Sequence, residues 1–211
     1  MKTKTRYNTR LHVLELLLLA VVGVFLLSGA VTMEAQSALA DKVVRLHVLA
    51  NSDSEADQAL KLAVRDAVLK ETELFLDGVE SREEAAVVLK GQLPFLQKTA
   101  ERALAEQGSA YPVEVRLENA EFPTKTYDGF ALPAGEYLAL RVLIGKAAGQ
   151  NWWCVVFPPL CHTAASEVSE VAVSAGLSSA QVRLITEEDG GYVLKFKCVE
   201  LWQRLRAALD E

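Results

Sequence analysis

The stretch VVRLHVLANSDSEADQALKLAVRDAVLKE, Val43–Glu71, decides the fold class. Val43–Ala50 alternate: Val44, Leu46, Val48 and Ala50 point one way, while Arg45 and His47 share the other side with Val43 and Leu49. A period of two is the signature of a strand, and apolar residues on both sides predict one whose two faces are each at least partly covered. Ser52 followed by Glu55 reads as a capping box, with Ser54 and Asp57 a weaker copy just beyond it. Acids at 53, 55 and 57 suit the positive end of the helix that they open. Leu60, Val64, Ala67 and Val68 then recur at helical spacing, Leu62, Leu69 and Leu76 widen the stripe, and Asp77-Gly78 marks its end.

Downstream, a second capping box at Ser81 and Glu84 opens another helix, with Ala85, Leu89, Leu93, Leu96, Ala100 and Leu104 on its buried side and Gln107-Gly108 at its close. Gly91 and Pro94 predict a kink or a break inside it, because proline lacks the amide donor and clashes with the preceding turn. After residue 110 the pattern turns to strands. Pro112–Glu118 alternates cleanly, Phe122–Tyr127 reads as an edge or bulged strand, and Tyr137–Ile144 is nearly all apolar. Six residues separate that run from Asn151–Phe157, which predicts a hairpin between the two. Residues 163–180 fit either a surface loop or a weak helix at 166–173. Val182–Thr186 and Tyr192–Val199, flanking Asp189-Gly190-Gly191, read as a second hairpin, and Leu201, Leu205 and Leu209 as a short terminal helix. The class that results is α+β, a mainly antiparallel or mixed sheet packed by two long helices and a short C-terminal helix.

Upstream, the first twelve residues hold four bases and no acid, and run into the apolar stretch Leu16–Leu27. Basic flank, apolar centre and small-residue sequel have the order of a signal peptide or membrane anchor, here residues 1–40. The centre is short for a spanning helix of about 20 residues. Two small-x-small sites follow, Ser28-Gly29-Ala30 and Ala38-Leu39-Ala40. The body, residues 41–211, is therefore expected to be exported or tethered outside the cytoplasm through the export machinery. It carries 18 bases against 26 acids. So acidic a body lacks the basic stripe that nucleic-acid binding needs, and no nucleic acid is expected as a partner.

Of the three cysteines, Cys154 and Cys161 lie seven apart across Pro158-Pro159, a spacing that a chain reversal can close into a disulfide in an exported body. The alternative is that all three stay reduced and structural. A zinc site would need Cys154, Cys161, His162 and a fourth ligand such as His47, with no Cys-x-x-Cys pair to support it. A cysteine hydrolase would use Cys154 as nucleophile, His47 or His162 as base, and Asp53 or Asn51 to orient it. Cys154, however, sits mid-strand and not at a strand-to-helix turn, and glycine-rich phosphate cradles and hydrolase motifs are missing. No catalytic residue, metal or cofactor is assigned, and the chain is not read as an enzyme. The unusual surface candidates are Asn151-Trp152-Trp153 and Asn51-Ser52-Asp53. Consecutive tryptophans in a strand face opposite sides, so either both sheet faces are covered or one indole reaches solvent or a partner.

Residues 45–69, RLHVLANSDSEADQALKLAVRDAVL, resemble the N-terminal signature of the stage II sporulation protein R family. Residues 122–161, FPTKTYDGFALPAGEYLALRVLIGKAAGQNWWCVVFPPLC, resemble its second block, in the same order and at about the family's separation. The family-like positions include Arg45, His47, Asn51, Ser52, Asp53 and Asp57 in the first block, and Phe122, Lys125, Tyr137, Gly145, Trp152, Trp153, Cys154 and Cys161 in the second. The resemblance implies a signalling protein of endospore-forming bacteria, made in the forespore and exported into the space between the forespore and mother-cell membranes. There it would activate a membrane-embedded aspartic protease of the mother cell, which processes the sigma-E precursor. This implies a ligand and not a protease, with Asn51, Ser52, Asp53, Trp152 and Trp153 as partner-contact candidates. Against it stand two other readings, the cysteine hydrolase above and a structural protein of the septum or spore envelope. His162 after the second cysteine and Cys198 outside the motif depart from the family pattern.

Overall fold

A computed structural model of the chain describes residues 36–186, together with residues 12, 15–17 and 19. The apolar leader core, Cys198 and the anticipated elements of residues 192–209 lie outside the described residues. Among those described, no helix is long and apolar enough to cross a membrane.

Among the described residues, six strands and four helices follow residues 36–40, which are helical themselves. In chain order they are β1 (Val44–Leu49), α1 (Glu55–Phe75), α2 (Arg82–Glu106), β2 (Val113–Phe122), β3 (Lys125–Tyr127), β4 (Phe130–Leu132), β5 (Gly135–Ile144), β6 (Asn151–Phe157), α3 (Val168–Ser174) and α4 (Ser179–Thr186). The main sheet is mixed, with the order β2-β5-β1-β6, while β3 and β4 form a small antiparallel ribbon. β1 runs parallel to β5 and antiparallel to β6.

This order corrects the anticipated β5–β6 hairpin. The two strands are not neighbours, because β1 lies between them and hydrogen-bonds to both. A strand apolar on both sides gains most in the interior of a sheet, where each face is covered and each edge is paired.

The two faces carry two cores. On one, Val44, Leu46 and Val48 of β1 and Leu140, Val142 and Ile144 of β5 pack against Val64 and Val68 of α1 and Leu89, Leu96 and Ala100 of α2. On the other, Val43, Phe122, Tyr137, Ala139 and Val155 meet Leu39, the β3–β4 ribbon, Val168 and Ala172 of α3, and Val182 and Ile185 of α4.

Several local expectations change. The N-cap of α1 is Ser54, whose hydroxyl accepts the Asp57 amide at 3.2 Å, and not Ser52. Ser52 is recruited instead to the Asp57 carboxylate, to which it donates at 2.5 Å. Leu62 is exposed and not part of the buried stripe. Ser81 caps α2 as expected, accepting the Glu84 amide, and α2 runs unbroken as helix through Gly91 and Pro94. Phe122 closes β2, whereas Lys125–Tyr127 pairs with β4. The segment 163–180 takes its helical alternative as α3, and Val182–Thr186 is helix, not strand. The signal for α4 was present in Ser178-x-x-Gln181. The Ser178 hydroxyl accepts the Gln181 amide, and Gln181 Oε1 accepts the Ser178 amide at 2.9 Å, a reciprocal capping box.

Candidate functional site

The antiparallel pairing of β1 with β6 brings Asn51-Ser52-Asp53 and Asn151-Trp152-Trp153 to one end of the sheet, with Leu49 opposite Asn151, Val48 opposite Trp152 and His47 opposite Trp153. Asn51 and Asp53, which capping left without a role, are stitches between the β1–α1 turn and the β5–β6 connection. Asn51 Oδ1 accepts the Lys146 amide at 3.0 Å while its Nδ2 donates to Asp57 at 2.8 Å. Asp53 Oδ1 accepts the Gln150 amide at 2.7 Å. Gln58 donates to the Ser52 carbonyl, and Lys61 donates to both Gln58 and the Gln150 carbonyl. Asp57, receiving bonds from Ser52 and Asn51, is held below the usual carboxylate range chiefly by those two donors.

Two glycines make this junction close-packed. Gly145 adopts φ +58°, and a methyl group on it would lie 2.4 Å from Asn51 Oδ1. A methyl group on Gly149 would lie 2.2 Å from the Ser52 carbonyl oxygen. Both glycines lie in the β5–β6 connection, Gly145 pressed by the Asn51 side chain and Gly149 by the Ser52 backbone, and neither position leaves room for a side chain.

The tryptophans separate to opposite faces. Trp152, 36 % exposed, lies on the helix side with the Arg65 guanidinium 4.2 Å from its ring centre. Trp153 is half-buried on the other face and stacks on His47 at 5.7 Å between ring centres, with Lys125 Nζ 4.3 Å from its own.

Trp153 ends a continuous row of alternating aromatic and cationic or titratable groups. Arg45, fully buried, lies 4.9 Å from the Tyr137 ring centre and 4.1 Å from that of Phe122, and donates to the Tyr127 hydroxyl at 2.6 Å. Phe122 packs on His47 at 5.6 Å, and His47 on Trp153. His47 Nε2 and Asn151 Oδ1 share a hydrogen bond of 2.7 Å. Burial holds the His47 pKa below 6.5, the Asn151 bond opposes this, and Arg141 and Arg45 reinforce it. Arg141, opposite His47 in the β1–β5 register, donates to Glu118. Cation–π contacts substitute for the carboxylate that a buried arginine ordinarily requires. The sequence offered Arg45 and His47 as polar residues on a covered face, but only the register shows that they interleave with Phe122, Tyr137 and Trp153.

Cys154 and Cys161 are joined by a disulfide, with Cys154 buried in the helix-side core. His47 lies on the opposite sheet face, and His162 pairs with Glu73 at 3.0 Å. A cysteine nucleophile with either histidine as base does not assemble here. Among the described residues no group of three or more His, Cys, Asp or Glu is placed to hold a metal ion. What the arrangement offers chemically is a cross-linked scaffold that presents Asp53, Asn151 and Trp152 at one end.

The family model for stage II sporulation protein R matches residues 40–167. The stage II sporulation protein R of Bacillus subtilis (strain 168) is 43 % identical over 121 residues, which cover 57 % of this chain and 54 % of that protein. The alignment thus spans about half the length of the relative. No solved structure matches. The matched stretch contains the β1–α1 junction, the aromatic row, the disulfide and the whole main sheet, and on this ground the chain belongs to the stage II sporulation protein R family.

Proposed function

We propose that this chain is an exported signal of the forespore that activates a membrane-embedded aspartic protease of the mother cell, and thereby the processing of the sigma-E precursor. Family membership carries this reading. The basic, acid-free start and the apolar Leu16–Leu27 supply a route out of the cytoplasm, into the space between the two membranes. The protein acts by contact and not by bond cleavage, in keeping with a Cys154 sulfur held in a disulfide.

The contact surface we assign is the sheet end where Trp152, Asn151 and Asp53 are exposed side by side. Asn51 and Ser52 lie behind it, shaping the surface through their bonds to Lys146 and Asp57. An exposed indole backed by a rigid strand is the kind of anchor around which interface energy concentrates. The test is deletion of the gene in an endospore-forming host, scored for sigma-E precursor processing. Loss of processing, restored by protein made only in the forespore, is the expected result. Normal processing with a malformed spore envelope would instead indicate a structural protein.

A further inference from the structure

Besides Ser28-Gly29-Ala30 and Ala38-Leu39-Ala40, a third site has small residues at the positions that a leader peptidase reads, Ala35-Gln36-Ser37. A cut after Ala40 would start the exported chain at Asp41, and one after Ser37 would start it at Ala38. The structure gives the residues just before Asp41 a place in the fold. Leu39 is fully buried, in the same core as Val43, Phe122 and Tyr137. Gln36 is only 7 % exposed and seated against Gly135, where a methyl group would come within 2.8 Å of its Nε2. The Ala38 carbonyl accepts from Gln181 Nε2 of α4 at 3.0 Å. The Asp41, Lys42 and Val43 amides bond back to Ser37, Leu39 and Ala40, so that the segment turns directly into β1.

We propose that residues 36–40 are the first structural element of the exported domain, and that the leader is removed at Ser28-Gly29-Ala30. This rests on the export reading above. Loss of residues 36–40 would strip Leu39 from its core and open Val43, Phe122 and Tyr137 toward water, while α4 would lose its hydrogen bond to the N-terminal segment. A cut after Ala30 leaves all of these contacts intact. Local sequence does not separate the three sites, since all satisfy the small-x-small rule. Packing separates them: a cut after Ala40 removes Leu39, and a cut after Ser37 removes the buried Gln36 and the Ser37 carbonyl that accepts the Asp41 amide, so only the cut after Ala30 spares every contact.

The exported protein, recovered from an endospore-forming host and examined by N-terminal sequencing and intact mass, should begin at Val31. Ser28→Lys should abolish the cut and leave the leader attached, whereas Ala38→Lys, at an exposed position, should leave the N-terminus at Val31. A first residue of Ala38 or Asp41, a chain still beginning at Met1, or a cut blocked by Ala38→Lys would each overturn the proposal. Stability gives a readout that does not depend on export. In the full chain, Leu39→Ala should lower Tm by roughly 5–15 °C and Ser37→Ala, at an exposed position, should leave it unchanged. Equal Tm values for the two would show that the segment lies outside the fold. A reporter fused after residue 45 that is active only in the cytoplasm would remove the export reading, and the Leu39→Ala comparison would still decide whether the segment belongs to the domain.

Discussion

Asn51 and Gly145, 94 positions apart in sequence, are in such close approach that a methyl group on Gly145 would lie 2.4 Å from the Asn51 amide oxygen. That contact fastens the exit of β1 to the exit of β5, its parallel neighbour, and thereby fixes where the chain departs for β6.

Gly145→Ala should destabilise the domain by at least about 2 kcal/mol, from a left-handed φ combined with a clash that displaces the Asn51 side chain from its hydrogen bonds. Asn51→Ala should cost about 1–3 kcal/mol, since it leaves the Lys146 amide and one Asp57 lone pair without their partner. Urea denaturation of each variant checks both values. Wild-type midpoints would show that the junction is not a stitch.

Alkylation of the denatured, non-reduced protein should modify one cysteine, Cys198, out of three. Reduction should lower stability by roughly 2–3 kcal/mol in the chain-entropy picture of so short a loop. Three modified thiols in the intact-mass spectrum would refute the bridge.

Stability should fall on acidification in two steps. His47 has its pKa lowered in the folded state, so the unfolded chain binds the extra proton first, and stability falls as pH drops from about 6.5 toward the folded value. Asp57 is also depressed in the fold, so its contribution is present above the unfolded carboxylate pKa and is lost as pH falls through the folded one. Thermal melts from pH 8 to pH 3 should show both, and His47→Gln should flatten the upper step alone. A profile flat between pH 7 and pH 5 in the wild type would contradict the first assignment.

Trp152→Ala should leave a folded, exported protein that fails to activate the protease, with a loss of about 2 kcal/mol, or some thirtyfold in affinity. Trp153→Ala should instead lower Tm, because its ring is held between His47 and Lys125. Circular dichroism and sigma-E precursor processing, measured on both variants, separate the two roles. If Trp152→Ala activates normally while folded, the contact surface lies elsewhere.

Local pattern in the sequence was enough to place the strand at Val44–Leu49, the long helices with their Ser81 cap, and the opposite orientation of Trp152 and Trp153. Side-chain periodicity and capping are short-range properties, decided within a few residues by backbone geometry. The order of the strands is not short-range. Whether β5 pairs with β6 or with β1 depends on which edge offers unpaired amides and a complementary apolar face, and the six-residue connection permits either choice. The same holds for Ser52, a plausible cap until the Asp57 carboxylate claims its hydroxyl, and for Leu39, a residue of the leader by composition and of the core by packing. Tertiary structure alone interleaved Arg45 and His47 with Phe122, Tyr137 and Trp153, because their contact is created by register across four strands, and register is a property of the assembled sheet.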